Sequence, residues 1–94
     1  IGFAVAKAKV IEALREGTYQ HEPRGAIDVK NALAMGEVSA PEVINIVQRC
    51  NGTHHSSSAH HVYPSIEVHI LRRDGWYIKF YFLDPDTWFI SVHR

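Results

Sequence analysis

Five of the seven histidines fall within the sixteen positions from His54 to His69, in HHSSSAHHVYPSIEVH, and Lys79 follows between Tyr77 and Tyr81. Imidazole gains and loses a proton near neutral pH, so such a cluster suits proton transfer, metal ligation or a solvated loop. With Glu67 and Lys79 nearby, His69 and His55 supply the parts for metal-free cleavage of RNA. A base takes the proton of a ribose 2′-hydroxyl, a cation steadies the charge gathering at phosphorus, and an acid protonates the departing 5′-oxygen. Lys79 suits the cationic role; which group is acid and which is base stays open. Tyr77 and Tyr81 offer flat faces to unpaired bases, and Arg72, Arg73 and His93 offer charge to the same strand.

A metal site needs three or four converging ligands, and no Cys-x-x-Cys or His-Glu-x-x-His motif backs the paired histidines. A polar loop is therefore the expectation for His54, His60 and His61, and exposure for His21 in its connector. Ser56 to Ser58 lack the Gly-x-Ser-x-Gly turn of a serine hydrolase. Cys50 falls on the apolar side of a helix, where a packed thiol is expected rather than a nucleophile.

These side chains need a scaffold, and 94 residues make one domain with one modest core. Ten acidic and ten basic groups cancel, which counts against a generic polyanion binder. A lone cysteine fits a reducing compartment, so the cytoplasm is expected, with no membrane partner. The opening IGFAVAKAKVIEAL reads as a helix rather than a signal peptide. Phe3, Ala6, Val10, Ile11 and Leu14 predict a helix over about residues 3–16, stopped by Gly17. Val29, Ala32 and Leu33 predict a short second helix closed by Gly36. Ser39-Ala-Pro-Glu42 is a capping box that opens a third, burying Val43, Ile46, Val47 and Cys50.

Beyond residue 53 the period changes to alternation. Ile66, Val68 and Ile70, then Trp76, Ile78, Phe80 and Phe82, then Trp88, Ile90 and Val92 predict three strands with even positions turned to the helices. The polar HHSSSAHH adds at most an irregular edge strand. The fold class expected is α+β: two or three N-terminal helices packed on a C-terminal antiparallel sheet of three or more strands. Three-residue turns at RDG and DPD keep even opposite even, which sets His69 opposite Lys79 and Lys79 opposite Ser91 on the face away from the helices. Glu67, Tyr81 and Phe89 form the next row; Leu71, Tyr77 and His93 form the row beyond. A solvated face on which Tyr and Lys alternate would carry the same pattern.

LREGTYQ, NALAMGEVSAPEVINIVQRC, IEVHIL, WYIKFYF and WFISVHR, in that order and over nearly the whole chain, resemble the MqsR family of toxins, relatives of the RelE-type mRNA interferases. The resemblance implies a RelE-like fold and a toxin of a toxin-antitoxin system, an endoribonuclease acting on messenger RNA, free or ribosome-bound. It also implies a cognate antitoxin as protein partner and no metal or small-molecule cofactor. Lys79 in YIKF matches a functional lysine of the family, His55 falls near another family lysine, and His69 falls where the family has a tyrosine. Ile66 stands near a family glutamine, so that polar group is missing here. The alternatives are a noncatalytic protein- or RNA-binding module using the same sheet face, and a His-rich metal-binding domain.

Overall fold

The computed structural model describes residues 1–23 and 30–94. Its elements are α1 (Phe3–Glu16), β1 (Tyr19–His21), α2 (Ala40–Gln48), a 3-10 turn (Gly52–His54), β2 (His55–Ala59), β3 (Glu67–Arg73), β4 (Trp76–Leu83) and β5 (Asp86–His93). The sheet has five strands in the order β1-β5-β4-β3-β2, all antiparallel neighbours except β1, which runs parallel to β5. The class is α+β, as the change of period predicts. The sheet is mixed rather than purely antiparallel, because Tyr19–His21 leaves the connector to pair with Thr87–Phe89.

α1 ends where predicted: Gly17 takes φ 74° and its amide donates to the Ala13 carbonyl. Ser39 and Glu42 form both halves of the capping box on α2. Both helices pack on one sheet face, with Val10, Leu14, Val43 and Val47 meeting Leu71, Ile78, Phe80, Phe89 and Val92. Each such aliphatic side chain contributes about 1.5–3 kcal/mol by leaving water.

The predicted second helix does not form over the residues described. Asn31 forms a single parallel bridge to Val92 and residues 32–38 are turns and bends; the Val92 amide donates to Lys30 O and the Ala32 amide donates to Val92 O, so the sheet takes backbone groups that a helix would need. Val29 lies outside the described residues.

Both predicted three-residue turns are two-residue turns. Arg73 pairs with Trp76, leaving Asp74-Gly75 as the loop, and Leu83 pairs with Asp86, leaving Asp84-Pro85. Asp74 at φ 53° and Gly75 at φ 78° are both left-handed, the signature of a type I′ turn, whose twist matches that of the strands it joins. One residue fewer in the turn reverses parity across it. Odd positions of β3 therefore share a face with even positions of β4: Leu71 pairs with Ile78 and His69 with Phe80.

A bulge then restores parity between β4 and the end of β5. Lys79 pairs with Ser91 and Phe80 with Phe89, so Ile90 is the extra residue. Phe89 and Val92 both reach the helix-side core, while Ile90 joins Val68 and Tyr81 in a smaller core on the other face, with Ile66 and Trp88 against it. The face expected to be open is thus partly covered.

Candidate functional site

The register separates the predicted catalytic groups. His69 lies on the helix side, 1% exposed, its ring against Phe80 and Phe82. Lys79 lies on the opposite face, paired with Ile70 and Ser91. Only the Lys79–Ser91 half of the expected row is present. His69 does not meet Lys79, because the tight I′ turn places Phe80 opposite it.

The other three predicted catalytic residues do come together. His55 opens β2 opposite Leu71 and so shares the helix-side face with His69. His55 Nε2 is 3.0 Å from His69 Nδ1, and His69 Nε2 is 3.5 Å from Glu67 Oε1. One arrangement of protons satisfies all three. His69 carries its proton on Nε2 toward the carboxylate, its Nδ1 accepts the Nε2–H of His55, and His55 Nδ1 is left as the basic nitrogen. Burial holds His69 below the ordinary imidazole range; Glu67 opposes this, and the charges of His55 and Lys9 reinforce it. Glu67 is held below the usual carboxylate range by a hydrogen bond from the Ile1 amino group, 2.6 Å away. Lys9, on α1, lies 4.5 Å over the Phe82 ring on the same side of the sheet. It is one of the cations whose field His69 feels, and it stands some sixty residues upstream, where no sequence pattern links it to the histidines.

The predicted RNA contacts divide in the same way. Arg72, Tyr77 and His93 form a continuous row across β3, β4 and β5 on the face away from the helices. The Arg72 guanidinium lies 5.0 Å over the Tyr77 ring, and His93 stacks on that ring at 5.1 Å with a 24° interplanar angle. Lys79, two residues from Tyr77, shares this face. Arg73 and Tyr81 do not line it. Arg73 belongs to the other parity of β3, and its Nη1 lies 2.8 Å from His54 Nε2. Tyr81 is 7% exposed, stacked on Trp88, with its hydroxyl donating to Glu22.

Three histidines expected to be solvated are structural. His54 is half-buried, its Nδ1 accepting from the Asn51 amide. His60 is 4% exposed: its Nδ1 accepts from the amides of Val62 and Tyr63, and its Nε2 donates to Glu22 at 3.1 Å. Burial resists ionisation of Glu22, but the bonds from Tyr81 and His60 outweigh it and hold the carboxyl below its usual range. The cluster fastens residues 60–66 over the smaller core. His21 is half-buried, with Nδ1 2.9 Å from Asn31 Nδ2, and burial lowers its pKa. His61 is exposed, as expected. Cys50 is 3% exposed, and burial raises its pKa, which agrees with a packed thiol. Among the described residues no three His, Cys, Asp or Glu side chains are arranged to hold a metal ion, and no helix is long and apolar enough to cross a membrane.

The chain matches no family model, no curated protein and no solved structure. The site is therefore read from its geometry.

Proposed function

We propose that the chain is a toxin-type, metal-independent endoribonuclease of the RelE-like kind its sequence resembles, with His55 as the general base. The observation that carries this reading is the chain of contacts from Glu67 through His69 to His55. A buried imidazole held between a carboxylate and a half-exposed imidazole fixes the tautomer of the outer ring and favours its protonated form once it has taken a proton. In the proposed step the ribose 2′-oxygen loses its proton to His55 Nδ1 and bonds to phosphorus. The bond from phosphorus to the 5′-oxygen breaks, and that oxygen takes a proton from an acid. The products are a 2′,3′-cyclic phosphate and a 5′-hydroxyl. Lys9 replaces Lys79 as the nearby cation, and Lys79 becomes an RNA contact.

The Arg72–Tyr77–His93 row supports single-stranded RNA as the substrate, since stacked planes and cations in one line suit unpaired bases and their phosphates. β2 is an outer strand, and Arg72 lies one position beyond Leu71, the partner of His55. A strand lying on the row must turn around the outer edge of β2 to reach His55 on the other face, a path that does not cross the core. A cytoplasmic enzyme acting on messenger RNA, free or on the ribosome, and restrained by a cognate antitoxin protein completes this reading.

The test is incubation of a long single-stranded RNA with the protein and excess chelator, over about pH 5 to 9, where imidazole titrates. Cleavage that leaves cyclic phosphate ends, disappears in His55→Ala and persists in Lys79→Ala is expected. Intact RNA, both free and ribosome-loaded, would remove the enzyme reading. The Arg72–Tyr77–His93 row also favours a second reading, a noncatalytic binding module. Tyr77-dependent binding of an oligonucleotide or of a protein partner, with no cleavage, would select it.

A further inference from the structure

We propose that the cleft at the end of the β3–β4 hairpin is a phosphate site that grips one nucleotide unit. It rests on the ribonuclease reading only in taking RNA as the source of that phosphate. The cleft, about 360 Å³, is lined by His54, Arg72, Arg73, Trp76, Tyr77 and the Asp74-Gly75 turn. The whole chain has zero net charge, yet this corner is basic. Its one carboxylate, Asp74, is bound by Arg49 Nε at 2.6 Å and approached by Arg73 Nε at 3.5 Å, which leaves guanidinium charge in excess.

Two donors here lack acceptors. His54 Nδ1 lies 2.9 Å from the amide of Asn51, which donates to it, while Arg73 Nη1 lies 2.8 Å from His54 Nε2. A guanidinium only donates, and a neutral imidazole carries one N–H, so the ring cannot accept at both nitrogens. With Nδ1 accepting from Asn51, the His54 Nε2–H faces another N–H. Arg73 Nε is also enclosed and makes no hydrogen bond, although Asp74 Oδ1 lies 3.5 Å away. An oxyanion set against the pair from the cleft, with Arg73 Nη1 turned from the ring toward it, accepts from His54 Nε2–H and from Arg73 Nη1 together, which removes the opposed donors. Arg72 supplies a second guanidinium at the rim.

The walls select the kind of anion. Trp76 brings a half-buried aromatic ring to the cleft, so a phosphate that carries a base gains stacking that a bare anion lacks. His54 immediately precedes His55, so a nucleotide held here places its neighbour beside the proposed general base.

The full chain, labelled with nitrogen-15, is titrated with uridine monophosphate, inorganic phosphate, uridine and acetate, while the His54 and Arg73 side-chain resonances are followed. Saturable shifts at both residues are expected with the monophosphate and, several-fold more weakly, with phosphate. Arg73→Gln should weaken monophosphate binding about tenfold, the effect of losing a charged hydrogen bond, without altering the amide spectrum of the sheet. His55→Ala should bind as the parent does, so loss of cleavage and loss of the phosphate site are read separately. No saturable shift at His54 or Arg73, an equal response to acetate, or unchanged affinity in Arg73→Gln would overturn the site.

Discussion

His69 and Lys79 lie on opposite faces of one sheet, on adjacent strands, with His69 paired to Phe80 and Lys79 to Ile70. A proton passed by one cannot be steadied directly by the other, because the strand backbones stand between them. The chemistry assigned to the His55 edge therefore tolerates loss of Lys79. Lys79→Ala should lower RNA cleavage by no more than about threefold through weaker binding, whereas His55→Ala should lower it by about a hundredfold or more, the range for a lost general base. Initial cleavage rates of the two variants against the parent decide this. A collapse in Lys79→Ala with His55→Ala still active would return the site to the other face.

His69 should act through His55. His69→Phe fills nearly the same space beside Phe80 and Phe82, so the fold should persist. With no nitrogen to accept from His55, the outer imidazole loses its anchor, and the pH–rate profile should change shape as well as height. An unaltered profile would make His69 a packing residue only.

The Glu22–His60–Tyr81 cluster should leave its mark on stability. Glu22 is depressed in the folded state, so its contribution is fully present above the unfolded carboxyl value of 4.5 and is lost as pH falls through the folded value. Tyr81 is raised, by burial first and by Glu22 second, so its contribution holds below the unfolded value of 10.0 and is lost as pH rises through the folded one. Glu22→Gln should flatten the acid limb of a denaturation curve measured against pH. Tyr81→Phe should flatten the alkaline limb and cost about 1 kcal/mol.

The I′ turn should be sensitive at its second residue. Gly75 has φ 78° with open space where a side chain would project, so Gly75→Ala meets backbone strain and no clash. A cost of about 1–2 kcal/mol is expected in urea unfolding, and a variant as stable as the parent would dispute the turn type.

Cys50 should resist thiol reagents in the native protein and react fully once denatured. Rapid native labelling would contradict its burial.

Local signals were legible wherever a residue's own backbone chemistry decided the outcome. Gly17 ends α1, Ser39 and Glu42 cap α2, and the change from helical to alternating period marks where β-structure takes over. Parity across the sheet was not, because it hangs on whether Arg73 joins the ladder, and an Asp-Gly pair allows loops of two residues or three. That one residue moved His69 from an open face to a core. Ile90, an apolar residue in an apolar strand, gives no sign that it is the bulge. His60 and Glu22 were illegible for a different reason: they stand 38 residues apart, and neither segment has a period. His55, His69 and Glu67 are all candidates from the sequence, yet the register it implies sets His69 and Glu67 on the wrong side of the sheet and gives His55 no place beside them.

The parallel pairing of β1 with β5 joins Tyr19–His21 to a strand made much later, Asp86–His93. On a translating ribosome, β1 emerges early and has no neighbour until residues 86–93 follow it out. β5 is also the strand that holds β4 on its far side, so sheet assembly awaits β5. A chain cut short before β5 would on this account leave β1 and one edge of β4 unpaired.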